Sequence, residues 1–210
     1  MKVEKLTPGS KTILQVAQLY AQVFAEAPWN EVSQCIQDGF SGEPVGSACS
    51  CGNTRTEAYP MRETIDYIRG EISATQAIAL LGVINYEAVA FSWGYVGNLA
   101  TVATKKWDSP NMQDQVIEKV TTTVGDNGQI FYLSEVGVRG DQRGRGLATQ
   151  LVQETQRKAK NIPWVIRTLD SSPMACILDK LRYERIIGPG LETQDLERSD
   201  RVLYVSPRNY

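Results

Sequence analysis

Apolar residues along the chain change period several times, and each change marks an element. Residues 130–138, IFYLSEVGV, form an apolar run with β-branched and aromatic side chains, of a length that suits a buried strand. After a Gly/Arg-rich loop, Leu147, Ala148, Leu151, Val152 and Ala159 recur at helical spacing, while Gln150, Gln153, Arg157 and Lys158 point elsewhere, which predicts a helix running to Lys160. Upstream, residues 2–7 alternate as a first strand. Pro8-Gly9-Ser10 breaks it and supplies a cap, and Ile13, Val16, Ala17, Tyr20 and Phe24 mark an amphipathic helix that Pro28-Trp29-Asn30 stops. Ile65, Ile68 and Ile72 predict a second helix over 62–72, and 76–84 with 88–95 read as a hairpin around Asn85-Tyr86-Glu87. Downstream, the pattern predicts a strand at 164–168, a short helix at 173–181, and closing strands at 183–187 and 201–205 joined by an acidic loop at 192–200.

Two stretches break this regularity. Residues 30–60 hold no sustained period and carry Gly39, Gly42, Gly46 and Gly52 with Cys35, Cys49 and Cys51, so they read as a long excursion. Residues 96–128 carry a polar run at 105–110, a helix over 112–120 and the pair Gly125 and Gly128, and read as an insertion before the 130–138 strand. The expected organisation is one domain over 1–210 with these two departures; at 210 residues and 42% hydrophobic it can bury its own core.

Composition narrows the function. A net charge of -2 leaves no basic footprint, so nucleic acid is not expected as a partner. The apolar run at 77–84 is too short to cross a bilayer, and the opening MKVEKLTPGS has no signal-peptide core, so no membrane partner is expected and a cytoplasmic protein is. The chain has no histidine, which removes Ser-His and Cys-His pairs and leaves a carboxylate, Cys, Lys, Tyr or a water chain as the general base.

The loop between the 130–138 strand and the following helix is where the chemistry concentrates. Gly140, Gly144 and Gly146 allow a sharp turn, and a Gly-rich turn opening a helix presents unpaired N–H groups at a positive dipole end, an anion site. No Gly-Lys-Ser/Thr follows, so this is not a P-loop, and Thr149 stands where a dinucleotide fingerprint needs its third glycine. Arg143-Gly144-Arg145-Gly146-Leu147-Ala148 resembles the acetyl-CoA signature of the GNAT superfamily of N-acetyltransferases, Arg/Gln-x-x-Gly-x-Gly/Ala, with Val138 closing the preceding strand. A solvated Arg/Gly turn is the plain alternative.

The resemblance implies an α/β fold: a mixed, mostly antiparallel twisted sheet of about seven strands flanked by helices and splayed between the fourth and fifth. The element order agrees over nearly the whole chain, with the two departures outside it. It further implies acetyl-CoA as cosubstrate and an amine acceptor. Val136, Gly137 and Val138 would offer backbone groups to the pantetheine and thioester. The N–H groups of Arg143, Gly144, Arg145, Gly146, Leu147 and Ala148 would hold the pyrophosphate, and Arg139, Arg143 and Arg145 could add charge. Glu135 is the candidate base, against the plainer reading of a carboxylate paired with an arginine or an insertion residue. A homodimer stays open.

Where the family commonly has Tyr-x-x-x-Gly-Phe to protonate the leaving thiolate, Leu178, Arg182 and Tyr183 stand. A hydrocarbon cannot donate a proton, so water, Ser172 or Cys176 must do so, or the thiolate departs unassisted. Cys35, Cys49 and Cys51 offer thiolates without a His or a Cys-x2-Cys pair, so free thiols in a flexible loop are expected ahead of a zinc site, and no metal. Trp29, Tyr59, Trp93 and Tyr95 suit core or pocket wall. Glu31, Asp38, Glu43 and Glu57 against Arg55 give the excursion an acidic balance that suits a cationic amine with an apolar body, or simply keeps a loop soluble. The two functional readings are acetyl transfer to a primary amine of a small molecule or peptide, in a ternary complex, and an acyl-CoA-binding module of weakened catalysis with a sensing or assembly role.

Overall fold

The computed structural model describes residues 1–125, 128–159, 161–190 and 200–207. In chain order the first elements are β1 (Lys2–Lys5), α1 (Ile13–Ala25), β2 (Ser33–Cys35), β3 (Gly39–Ser41), β4 (Thr56–Glu57), α2 (Met61–Ile72), β5 (Ile78–Ile84) and β6 (Glu87–Asn98). Then follow α3 (Leu99–Lys106), α4 (Pro110–Val124), β7 (Gln129–Val138), α5 (Leu147–Lys158), β8 (Trp164–Leu169), α6 (Pro173–Lys180), β9 (Glu184–Ile187) and β10 (Arg201–Val205).

Strands with near-continuous apolar sequence need cover on both faces, and the helices supply it. Seven strands form one sheet in the order β1-β5-β6-β7-β8-β10-β9. Every neighbouring pair is antiparallel except β7 and β8, which run parallel and meet only where Phe131, Tyr132 and Leu133 face Trp164, Val165 and Ile166. Past that point the two strands part, so the sheet splays between its fourth and fifth members, the architecture expected. On one face α1 and α2 bury Val16, Tyr20, Phe24 and Ile68 against Leu81, Phe91 and Trp93. On the other, α5 sets Leu147 and Leu151 on Leu80 and Ala90, and Val152 joins Leu133, Ile166 and Leu178 of α6. Each such large side chain taken out of water contributes about 1.5–3 kcal/mol before entropy is counted. Among the described residues no helix is long and apolar enough to cross a membrane.

The two irregular stretches hold more structure than their sequence pattern suggests. The excursion folds as a small sheet in the order β3-β2-β4, with strands of three, three and two residues that are too short for periodicity to reveal. In the insertion, β6 runs on to Asn98, whose side chain accepts from the N–H groups of Ala100 and Thr101 and so caps α3. That cap makes a helix from a segment whose polar tail read as loop; Val102 and Ala103 bury inward against Tyr95 and Tyr132. The expected helix over 112–120 is longer at both ends, starting from Pro110. Lys160 and nearly all of the acidic loop at 192–200 lie outside the described residues.

One irregularity in the central pairing matters downstream. Trp93 faces Glu135 while Gly94 faces Leu133, so Ser134 is an extra residue in β7, a β-bulge. Gly94 sits at this step, and a Cβ there would stand 2.4 Å from the Tyr132 carbonyl oxygen and 2.7 Å from the Phe131 ring. Gly94→Ala is therefore expected to destabilise the fold by about 2 kcal/mol through overpacking, a fall in Tm of about 4–8 °C at this chain length. Gly70→Ala on exposed α2, where a Cβ meets nothing within 4 Å, should instead be neutral or stabilising. Equal thermal shifts for the two variants would show that the bulge tolerates a side chain.

Candidate active site

The parting of β7 from β8 opens a cavity of about 710 Å³. It is walled by residues 133–138 of β7, the loop and first turn of α5, and the cavity-facing side of α6. Among the described residues the β8-side edge of Ser134–Val138 has no strand partner, so its backbone groups face the cavity, except the Val138 carbonyl, which accepts from Arg143 Nε. Val136, Gly137, Val138, Arg143, Gly144, Gly146, Leu147 and Ala148 all line it, and Arg145 does not. Gly137 also has a packing duty, since a Cβ there would meet the Phe91 ring at 2.2 Å.

At the end of this cavity the backbone turns back on itself. Gly146 caps α5 at φ 75° and Gly144 also has φ 75°, both in the left-handed region, and a Cβ at either would meet nothing within 4 Å. The first-turn N–H groups of Leu147, Ala148 and Thr149 have no earlier carbonyl of the helix to bond, so they present an anion cradle with open space before it. The arginines around it have other duties. Arg143 donates to the carbonyls of Val138 and Ala27 and pairs with Glu26 at 2.8 Å, tying the loop to the end of α1. Its own N–H is bonded to Gly140. Arg139 is held by Glu87 and Asp141. The positive end of α5 thus supplies the attraction more than these guanidinium groups do.

Because Ser134 is an extra residue, Glu135 turns toward α1 and α2 where regular alternation would have aimed it at α5. There the hydroxyls of Tyr67 and Tyr20 both donate to its Oε1, at 3.0 and 3.2 Å. Among the described residues no hydrogen bond falls on Oε2. Glu135 lines both the first cavity and a second one of about 400 Å³, together with Phe24, Trp29, Ser134 and Arg167. Burial pushes its carboxyl up to about 7; the two tyrosine hydroxyls and Lys106 pull the other way and Glu71 adds to the rise. The half-buried carboxylate is therefore poised near neutrality at the point where the two cavities meet.

The second cavity lies under α1, α2 and the excursion. Aromatic rings line it: Tyr20, Phe24, Trp29, Phe40, Tyr59, Tyr67 and Tyr132. Its charges are balanced, with Glu31, Glu63 and Glu135 opposite Lys106, Arg167 and Arg201. Glu31 is buried and accepts from the Tyr59 hydroxyl. Of the excursion acids expected here only Glu31 takes part; Glu43 and Glu57 are exposed, and Asp38 faces the cysteines. Trp93 and Tyr95 do not reach this cavity. Trp93 is fully buried beneath Tyr20 and Phe91, and Tyr95 packs with α3 and α4. The partners Tyr20 and Tyr67 escaped sequence reasoning because a tyrosine on an amphipathic helix looks like core; Lys106 and Arg167 arrive from elements whose mutual placement no local pattern encodes.

On α6 the side chains facing the first cavity are Met174, Cys176, Ile177 and Lys180, while Leu178 is fully buried in the core. Arg182, which stands where the resemblance has Gly, adopts φ 60°, a left-handed conformation that favours glycine. Ser172 caps α6 through Ala175 N–H and bonds the Thr168 hydroxyl at 2.7 Å. Cys176 is exposed, so the groups on this wall that carry a transferable proton are the Lys180 ammonium, the Cys176 thiol and the serines at 171 and 172.

No protein-family model matches the sequence, and no curated protein matches it. Solved structures match its fold. An aminoglycoside 6'-acetyltransferase type Ii superposes with a TM-score of 0.56 at 12% identity, over 100% of this chain and 99% of its own. An agmatine N-acetyltransferase gives 0.56 at 13%, over 97% and 98%, and an N-acetyltransferase from Staphylococcus aureus 0.55 at 12%, over 99% and 98%. The chain has the fold of the GNAT acetyltransferases.

Glu135 should also mark the stability profile. Its folded pKa lies above that of an unfolded glutamate, so ionisation costs the folded state more than the unfolded chain. This contribution is fully present below about 4.5 and is lost as pH rises through about 7. Glu135→Gln, which cannot ionise, is expected to gain stability relative to the wild type between pH 5 and pH 8.5, measured by urea unfolding. Parallel stability curves for the two proteins would mean that the carboxyl ionises as freely as one in water.

Proposed function

We propose that the chain transfers an acetyl group from acetyl-CoA to a primary amine of a small molecule or peptide, by direct attack in a ternary complex. The observation that carries this reading is the position of Glu135, on the partition between an anion-cradled cavity and an aromatic one, with a free carboxylate oxygen and a pKa near neutrality. The residues fit the cosubstrate: open space before the amides of Leu147, Ala148 and Thr149 suits a pyrophosphate, and the edge of Ser134–Gly137, which pairs with no strand among the described residues, suits an amide-bearing arm. Acetyl-CoA supplies the electrophilic thioester carbonyl when bound. The amine would enter from the aromatic cavity, where a cation can sit against ring faces, and Glu135 Oε2 would take its proton, directly or through a water. Tyr20 and Tyr67 fix Oε1 and so aim the other oxygen.

The acceptor this cavity suits has an apolar or aromatic body and both charges or hydrogen-bonding groups, since the wall offers Lys106, Arg167 and Arg201 as well as acids. One observation favours the second reading, a binding module of weakened catalysis: no tyrosine hydroxyl of α6 faces the cavity. Release of thiol from acetyl-CoA in the presence of an amine panel separates the two, since a pure binder releases none.

Acetyl-CoA at a hundredfold excess over Kd should stabilise the fold by about 2.7 kcal/mol. Gly146→Asp should lose this, because a carboxylate would stand before the amides at a left-handed position. Unchanged melting of the wild type at saturating acetyl-CoA would overturn the assignment. For catalysis, Glu135→Gln should lower kcat by roughly a hundredfold or more with acetyl-CoA affinity retained, and the acid limb near pH 7 should vanish from its rate profile. Wild-type turnover across pH would show that Glu135 takes no proton.

A further inference from the structure

From the side chains gathered in the excursion we infer a structural metal site for a zinc-type divalent cation, with Cys35, Cys49, Cys51 and Asp38 as its ligands. The three Sγ atoms lie within 4.8 Å of one another, Cys35 and Cys51 at 3.3 Å. Zinc–sulfur bonds of about 2.3 Å in a tetrahedron place sulfurs about 3.8 Å apart, so small side-chain adjustments reach the geometry. Asp38 becomes the fourth ligand by a swing of its side chain: its Oδ2 is 2.7 Å from the Cys49 Sγ and accepts from Ser50, but it lies outside the set of atoms within 4.8 Å of one another that the three sulfurs form. The ligand pattern is Cys-x2-Asp followed by Cys-x-Cys. On binding, each coordinating thiol releases its proton to solvent and the thiolate sulfur donates a lone pair to the cation.

Three independent features support a metal site here. Two tight turns present the ligands to each other. Cys35 pairs with Gly39 where β2 turns into β3, while the second turn closes through Cys49 N–H to Asn53 O, Gly52 N–H to Cys49 O and the Ala48–Thr54 bridge. The Cys51 sulfur also receives a hydrogen bond from Asn53 Nδ2 at 3.3 Å, of the kind that orients a metal-bound thiolate. Finally, Arg55 lies beside the cluster with its Nη2 4.0 Å from Asp38 Oδ2, and its buried Nε and Nη1 have no hydrogen-bond partner among the described residues. Three thiolates and a carboxylate around a divalent cation carry a net charge of -2, and a buried guanidinium offsets it.

The excursion needs such a cross-link. Its strands are three residues or fewer, and Ile36, Val45 and Phe40 are 99%, 51% and 41% exposed, so it has almost no apolar core of its own. Yet it must hold Gln34 and Phe40, on either side of the Cys35 turn, against the aromatic cavity. A metal between its two turns would stiffen that wall.

The full chain, purified without added metal under reducing conditions, is expected to keep one zinc per protein through dialysis. Once stripped, it should take up Co2+ with thiolate-to-cobalt charge transfer and the strong visible bands of tetrahedral coordination, both displaced by Zn2+. Cys51→Ser should abolish the cobalt spectrum. Asp38→Ala should weaken zinc by at least the roughly 10–100-fold that loss of an outer-sphere partner costs, and Asp38→Cys should restore stoichiometric binding. The wild-type titration stands even where a variant fails to fold. Substoichiometric zinc with no cobalt spectrum, a Cys35–Cys51 disulfide in the purified chain, or unchanged zinc affinity in Asp38→Ala would each overturn the site.

Discussion

The molecule depends on how briefly β7 and β8 are paired. Three residues of each strand meet, at Phe131–Leu133 and Trp164–Ile166, and then the parallel ladder stops. Continued pairing would fill the sheet and leave no edge; without the first three pairs the two halves would lose their common core of Phe131, Leu133, Ile166 and Tyr204. An unpaired stretch of central strand is costly in isolation, because its N–H and C=O groups have been taken from water. It persists where a cavity keeps those groups wet or ligand-bound, and here the cavity lies directly against it. The same constraint places the first turn of α5 at the cavity's end, because the loop after Val138 has only eight residues in which to reverse before Leu147.

The bulge at Ser134 adds the second half of the design. A strand alternates its side chains strictly, so one extra residue shifts every later residue to the opposite face. It puts Glu135 among the tyrosines of α1 and α2, while Val136 returns to the α5 side and Val138 packs with Leu147. A carboxylate in that aromatic setting is poorly solvated, and this is what raises its proton affinity. In a chain with no histidine, such burial is a physical route to a base near neutrality.

This division explains what the sequence made legible. The loop from Gly140 to Gly146 and the helix after it are local, so spacing alone exposed them, and the apolar runs at 76–84, 88–95 and 130–138 stood out for the same reason. The bulge was hidden, because register is a relation between strands and Gly94 shows only that some backbone comes close. The α3 helix was hidden by its polar end, with the Asn98 cap unnoticed at the tail of a longer strand than expected. For Trp93 the sequence left core and pocket wall both open, and strand parity with the bulge decides for the core. Asp38 reads in the sequence only as one of the excursion's acids, for a cationic amine or for solubility, because nothing in a linear reading sets it beside Cys49.

For the acetyl transfer proposed above, the lack of a tyrosine on α6 matters less than it first appears when the two proton transfers it would require are compared. A primary ammonium has a pKa of about 10.4 and a free thiol of the cysteine type about 8.5. At neutral pH the amine must therefore give up a proton against a gap of about three units, or about 4–5 kcal/mol, whereas the departing thiolate gains only about 2 kcal/mol from being protonated. The larger demand falls on the base. Raising Glu135 from 4.5 to about 7 removes about 3 kcal/mol from that uphill transfer, more than a hydroxyl at position 178 could contribute on the other side. For the proposed transfer, a site that invests its buried charge at β7 and leaves α6 hydrocarbon at Leu178 would keep the larger of the two contributions, with Cys176, Lys180 and solvent left for the smaller.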